Sequence, residues 1–496
     1  MSVKRPNILL VTADQFRGDC LHCDGNKLIN TPNYDNLAMD GMRFKRAYTP
    51  NPICVPGRAS IITGNYSHKC TGSKNNSGAI HDDQIKLPQL LAENGYETYA
   101  SGKLHYLPYT HPGKPDTLNG FQHAALAESG RILRLFDPKA ELSGVEAYVD
   151  YLKTVGWGGY SRGHGIGNND IHPAASPLPE EHHVDAWVAT QALDYLEYHK
   201  ENHKNKAFFL NVGFPKPHSP YDPPHPWDTM YDPREMPMPF INRDGKGRNP
   251  YGYFNAVTHG IPYFSPETIQ NIRSHYYGLI SFQDKQFGRL VKYLKDNDLY
   301  VNTIIIFIAD HGDMLGDFGW FFKCVMNEGS CRIPFIVSYP NGIKNNQASD
   351  EFVGLQDILP TVASLVGIEL GKDVDGIDLT SLLQNKTFSG RDYIISYSRE
   401  SPYQTYMVRS DCWKYIYTEA NATEELYDMN NDPTEEWNLI DKVEMKTTID
   451  EHRKNMINWA KKNGDSAIFD NGKLLATEVD TLKFDFTANS MGWRWY

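Results

Sequence analysis

The sequence lacks any apolar run long enough to cross a bilayer. Ile8 to Val11 follows two basic residues but is only four residues long, whereas a span needs about 20. It is also too short for the apolar core of an export signal. The chain as written therefore reads as cytoplasmic, and cleavage of a signal from a longer precursor would leave the same pattern. Cysteine is scarce as well, with seven in 496 residues, at 20, 23, 54, 70, 324, 331 and 412. The odd count and irregular spacing exclude a disulfide-stapled scaffold and fit a reducing compartment. Cys20-Leu-His-Cys23 has no second pair with which to bind zinc and no redox-motif surroundings, so it reads as two incidental thiols. Excess positive charge is missing too. The formal charge is −12, with Lys and Arg scattered rather than striped, which argues against nucleic acid as the main partner. An anionic substrate must then be attracted locally, by a few converging cations and a metal. Repeats and low-complexity tracts are absent.

What remains is ordinary globular composition, 40% hydrophobic and 22% charged, in a chain long enough for one large and one small domain. Residues 6–14 form a continuous apolar run ending in Asp14, the pattern of a parallel strand buried on both faces. Residues 303–309 repeat it and end in Asp310-His311, while residues 207–214 run into a segment carrying His218. Three such strands, each delivering a polar residue at its carboxyl end, predict one site above a parallel sheet. Residues 333–339 read as a fourth. Helical patterns at 87–94, 184–200 and 276–297 alternate with them, as a layered α/β fold requires. Residues 156–183 and 215–239 read as long loops over the sheet edge, where substrate selection belongs; the second holds nine prolines in 25 residues. Near residue 385 the texture changes to short strands at 393–397, 406–408 and 413–417, with a helix near 447–462. The expected division is a catalytic domain over 1–385 and a small α+β unit over 386–496.

The sharpest chemical signal is Cys54-Val-Pro-Gly-Arg58-Ala-Ser-Ile-Ile-Thr63-Gly64. Pro56 suits a helix's first turn, so Cys54 belongs at a helix N-terminus facing the positive end of the dipole, where an anion binds. Arg58, four residues on, shares that helical face and can contact the same anion. Asp14 and Asp310 are hard oxygen ligands suited to Ca²⁺, Mg²⁺ or Mn²⁺.

Every defined position of this stretch resembles the type I sulfatase signature Cys-x-Pro-x-Arg-x4-Thr-Gly. A second stretch, Gly95-Tyr-Glu-Thr-Tyr-Ala-Ser-Gly102-Lys103-Leu-His105, is similar to that family's next signature, in the family's order. The resemblance implies an alkaline-phosphatase-like fold, with a mixed, mostly parallel sheet sandwiched by helices and a small C-terminal antiparallel sheet. It implies that a maturation enzyme oxidises Cys54 to formylglycine, whose hydrate attacks sulfur through one hydroxyl and expels sulfate with the help of the other. It also assigns Lys103 to sulfate binding and His105 to orienting the nucleophile or acting as its base.

By the same resemblance, His218 in Phe214-Pro-Lys-Pro-His-Ser-Pro-Tyr is the general-acid candidate, and Lys323 in Trp320-Phe-Phe-Lys stabilises the leaving oxygen. Asp14, Gln15, Cys54, Asp310 and His311 would surround one divalent ion, Ca²⁺ first, with Mn²⁺ or Mg²⁺ as alternatives. Gln15 and His311 stand where many sulfatases carry a second aspartate and an asparagine. Both departures lower the site's negative charge, favour a softer ion and resemble phosphonate monoester hydrolases. An Asp-His pair also occurs in sulfatases acting on uronate 2-sulfates. Asn76 lies near a substrate-contacting asparagine of the family, though asparagine is common in turns. His164, His172, His182 and His183 could face a sugar but read more simply as loop histidines. The implied substrate is a sulfated small molecule or glycan. The alternatives are a phosphonate monoester or phosphodiester, and a non-catalytic sulfoglycan-binding protein; retention of Arg58, Lys103, His105, His218 and Lys323 speaks against the last.

Overall fold

The computed structural model describes residues 5–106, 118–128, 146–167, 169–244 and 264–480. Residues 481–496 of the expected small unit lie outside them. Eight strands build the main sheet: β1 (Asn7–Asp14), β2 (Met42–Tyr48), β3 (Glu97–Gly102), β4 (His123–Leu126), β5 (Phe208–Pro217), β6 (Thr303–Ala309), β7 (Phe335–Ser338) and β8 (Gln347–Gly354). Their spatial order is β4-β3-β5-β1-β6-β7-β2-β8. All neighbours are parallel except at β7, which pairs antiparallel with both β6 and β2. The sheet is thus mixed and mostly parallel, and the segment at 333–339, read as one more parallel strand, runs the other way. An apolar run reports burial on both faces but carries no sense of direction.

The longer helices are α1 (Pro32–Met39), α2 (Cys54–Thr63), α3 (Leu87–Glu93), α4 (Ala147–Thr154), α5 (Val184–Asn202), α6 (Pro266–Asp296), α7 (Ile358–Leu365) and α8 (Lys446–Lys462). They sandwich the sheet in two groups, α1 with α5 and α6, and α2 with α3 and α7. Central strands β1, β5 and β6 are buried at every residue, because helices cover both of their faces. Among the described residues no helix is long and apolar enough to cross a membrane.

A second sheet of order β12-β11-β10-β9 is wholly antiparallel. It comprises β9 (Tyr393–Ser398), β10 (Thr405–Ser410), β11 (Trp413–Thr418) and β12 (Thr423–Asp428). Its period-2 alternation sorts two faces. Ile395, Tyr406, Val408, Tyr415 and Tyr417 pack with Met456 and Trp459 of α8. Ile394, Met407 and Ile416 face Tyr48 and Phe352 of the main sheet. Lys414, fully buried, sits in that seam between Glu328 at 3.0 Å and Glu435 at 2.6 Å. A buried ammonium is tolerable only when paired in this way.

Candidate active site

β1 and β6 run in parallel with Ala13 opposite Ala309, so Asp14 and Asp310 leave the sheet side by side at its carboxyl edge. β3 and β5 end at the same edge and deliver Lys103 and His218. Their close approach depends on two glycines. A Cβ on Gly102, whose φ is +89°, would stand 2.1 Å from the Gly213 carbonyl oxygen, and one on Gly213 would stand 2.0 Å from that of Lys103. Nothing larger than glycine fits between these strand ends.

Helix α2 is buried throughout, with Cys54 as its first residue. Its N-terminal donors are not capped from within. Instead Asn76, from the following loop, accepts from the Val55 N–H at 3.0 Å, a use of its side-chain oxygen that stabilises the helix end. Cys54 Sγ lies 3.2 Å from His311 Nε2. The other ring nitrogen, Nδ1, donates to the Gly312 carbonyl at 3.1 Å, which leaves Nε2 facing the sulfur. Ligand atoms of Asp14, Cys54, Asp310 and His311 all lie within 4.8 Å of one another, and all four residues are buried.

Cations balance these acids. Arg58 Nε donates to Asp310 Oδ2 at 2.7 Å, its Nη2 stands 3.7 Å from Asp14 Oδ2, and Lys103 Nζ donates to the same Asp14 oxygen. Burial alone would push the Asp14 carboxyl up, but the positive charge around it, Lys103 foremost, outweighs it and holds it well below the usual carboxylate range. Burial also raises the Cys54 thiol, and Lys323 and His311 more than offset this, bringing it down to about 7. Asp14 Oδ1 has no hydrogen-bond partner among the described residues. An orphaned buried carboxylate oxygen amid two other acids or thiols and an imidazole fits a divalent cation.

Lys323 donates to the side-chain oxygen of Gln15 and, at 2.9 Å, to His218 Nε2. His218 Nδ1 in turn donates to the Ser219 carbonyl at 2.8 Å. Of the residues expected from sequence, Cys54, Arg58, Lys103, Asp14, Asp310 and His311 form one contact group, and Gln15, His218 and Lys323 a second beside it. His105 follows Lys103 with φ +44° and is buried. Of the loop histidines, His183 is buried and accepts from the Asp185 N–H as the N-cap of α5, and His164 pairs with Asp222 at 3.0 Å. His172 pairs with Asp170, and His182 with the Tyr151 hydroxyl at 2.7 Å.

Two supporting residues escaped the sequence reading. Asp313 accepts from the Gln15 amide and, at 2.6 Å, the Tyr221 hydroxyl through Oδ2, and from the Leu315 and Phe322 N–H groups through Oδ1, both at 2.9 Å. It therefore positions Gln15 and the turn that presents Lys323. Glu128 accepts from the Leu104 and His105 N–H groups at 2.8 and 3.0 Å, pinning the turn after β3. The spacing Asp310-His-Gly-Asp313 was the available signal for the first; Glu128 offered none.

A buried group of two carboxylates, a thiol and an imidazole, ringed by converging cations at the carboxyl edge of a mostly parallel sheet, suits an oxyanion ester. The sulfatase family model matches residues 6–368, and the model for the N-sulphoglucosamine sulphohydrolase C-terminal region matches residues 316–462. An arylsulfatase of Clostridium perfringens is 31% identical over 97% of this chain and 99% of its own. An N-acetylglucosamine-6-O-sulfatase of Bacteroides thetaiotaomicron is 27% identical, over 89% of this chain and 84% of its own. Among solved structures, a phosphonate monoester hydrolase of Agrobacterium radiobacter superposes with a TM-score of 0.77 at 23% identity, covering 94% of this chain and 97% of that one. The chain belongs to the sulfatase family and is a sulfuric ester hydrolase.

Proposed function

We propose that this enzyme hydrolyses the sulfate monoester of a carbohydrate, with formylglycine made from Cys54 as nucleophile and one divalent cation held by Asp14, Asp310, His311 and the converted residue 54. The observation that carries the reading is the position of Cys54, at the start of a buried helix and 3.2 Å from His311, beside an Asp14 oxygen that accepts no hydrogen bond among the described residues. The carbohydrate part is supported by the likeness to the N-acetylglucosamine-6-O-sulfatase and to the N-sulphoglucosamine sulphohydrolase C-terminal model.

The cation, when bound, polarises a sulfate oxygen and favours the ionised nucleophile; the converted residue 54 supplies the attacking hydroxyl. The remaining work falls to the chain's own side chains. Arg58, whose Nη2 makes no hydrogen bond among the described residues, and Lys103 neutralise the sulfuryl oxygens. The α2 N-terminus adds its dipole. His105 lies on the turn held by Glu128 and serves the nucleophile's hydroxyl. Lys323 and His218 share a proton between Nζ and Nε2 and present it to the leaving oxygen.

Gln15 and His311 favour a second reading, a phosphonate monoester or phosphodiester as substrate, since Gln15 removes a carboxylate that many sulfatases carry and His311 puts an imidazole in place of an asparagine. Peptide mass spectrometry across Cys54, on protein co-expressed with a maturation enzyme, combined with assays on the sulfate and phosphonate esters of one aryl alcohol, tests both. Aldehyde at Cys54 with sulfate release that a Cys54→Ala variant loses supports the first reading. A phosphonate rate far above the sulfate rate replaces it with the second. An unmodified thiol despite active maturation sinks the formylglycine mechanism.

A further inference from the structure

The end of the main sheet opposite the active site carries a second convergence of ligating side chains. Glu97 is the first residue of β3, His123 the first of β4, and His203 the C-cap of α5. Both imidazoles direct Nε2 at one carboxylate oxygen. Glu97 Oε1 lies 3.0 Å from His123 Nε2 and 3.7 Å from His203 Nε2, and one ligand atom from each residue falls within 4.8 Å of the other two. Two atoms each ~2.1 Å from a tetrahedral cation stand ~3.4 Å apart, so the observed separations bracket the value a bound ion needs. The other carboxylate oxygen, Oε2, is held at 2.9 Å by Lys206, which fixes the rotation of the carboxylate and leaves Oε1 for the two rings. His123 is further set by stacking on Tyr99, with centroids 4.9 Å apart and planes at 19°. Two imidazoles and one carboxylate suit a borderline transition cation and are poor ligands for Ca²⁺ or Mg²⁺. The group cannot share an ion with the active site, because Glu97 and Lys103 stand ~20 Å apart along β3 at ~3.3 Å per residue.

We propose that Glu97, His123 and His203 form a second metal site, selective for a borderline cation such as Zn²⁺, that clips the edge strand β4 to β3 and to the C-terminal end of α5. Among the described residues β4 is the last strand of its sheet and pairs only with β3. Two residues beyond it, Glu128 takes up the N–H groups of Leu104 and His105. Pinning the start of β4 therefore steadies the strand whose far end holds the turn after Lys103.

The test uses full-length protein in three forms: wild type, the double variant His123→Gln/His203→Gln, and Asp310→Asn. Each is dialysed against micromolar Zn²⁺ in the presence of excess Mg²⁺, and bound zinc is counted by elemental analysis alongside thermal melting. The expected result is one zinc equivalent in wild type and in Asp310→Asn that the double variant lacks, with a zinc-dependent rise in Tm that disappears in the double variant. Equal zinc content and equal zinc-induced Tm shifts in wild type and double variant overturn the proposal. So does loss of the zinc equivalent in Asp310→Asn with its retention in the double variant, which assigns the ion to the active site. Should the double variant fail to fold, His203→Gln alone, at the C-cap of α5, serves in its place under the same criteria.

Discussion

The His311 ring faces Cys54 Sγ at 3.2 Å through Nε2 while its Nδ1 is tied to the Gly312 carbonyl. That second bond orients the ring and aims Nε2 at the position of the nucleophile. Replacing His311 with Ala removes one ligand and leaves Arg58 and Asp310 paired. The metal concentration for half-maximal sulfatase activity should rise on the order of 10–100-fold, with activity returning at high metal. Titration of chelator-treated protein measures this. An unchanged metal demand would place His311 outside the coordination sphere.

Asp313 acts at a distance from the ester, through Gln15, Tyr221 and the backbone before Lys323. In Asp313→Asn the amide oxygen can keep the two backbone N–H groups, but the new NH₂ confronts the Gln15 amide, itself a donor. An unsatisfied buried donor costs about 1–3 kcal/mol, and the Lys323 turn shifts to relieve it. The expected outcome is a fall in kcat of about 10-fold or more, by transition-state arithmetic, with KM little changed and the folded state retained. A change confined to Tm would make Asp313 structural only.

The buried strands and the residues at their ends were legible because burial on both faces leaves a continuous apolar run that stops abruptly at Asp14 or Asp310. β2 and β8 were not. They carry charged residues such as Lys45, Arg46 and Asp350 on partly exposed faces, and so lack both the run and a clean alternation. α6 begins at Pro266, well ahead of the expected residue 276, because its first turns are polar; Ser265 accepting from the Thr268 N–H, with Pro266 next, was the start signal that the apolar periodicity overlooked. Cys54 and Arg58 could be placed from local motif and helix geometry, and Lys103 from its likeness to a family signature. Asp313 and Glu128 could not, since they work by receiving backbone N–H groups, and any carboxylate at the right point in space would do the same.

Asp185 ties stability to pH. It is fully buried in the first turn of α5, and burial, only partly offset by Gln283 and Lys216, pushes its carboxyl up to about 7, against ~3.9 in an unfolded chain. Between those values the folded protein keeps a proton that the unfolded chain has released. The contribution of Asp185 is therefore full below about pH 4, declines as pH climbs toward 7, and is constant beyond. Asp185→Asn removes this slope, which is worth at most ~1.4 kcal/mol per pH unit. Urea unfolding near pH 5 and near pH 8 should show the variant gaining stability relative to wild type at the higher pH. Parallel curves at both would mean that Asp185 is ionised in the fold throughout.

Lys323 and His218 lie 2.9 Å apart, and an ammonium can only donate, so His218 Nε2 is the acceptor while its Nδ1 proton goes to the Ser219 carbonyl. The pair thus holds one transferable proton at the point where the ester oxygen must leave. An acidic nitrophenol departs as its anion with little help, whereas a sugar hydroxyl must be protonated as the S–O bond breaks. Loss of the pair's function should therefore depend on the leaving group. His218→Ala and Lys323→Ala are expected to lower kcat on a sugar sulfate by about 10²–10⁴-fold, the range for general-acid catalysis, and on 4-nitrophenyl sulfate by much less. Steady-state kinetics of both variants on both substrates supplies the comparison. Equal losses on the two esters would mean that the pair binds or orients the substrate without delivering a proton, and the donor would have to be sought among the other buried groups at this edge of the sheet.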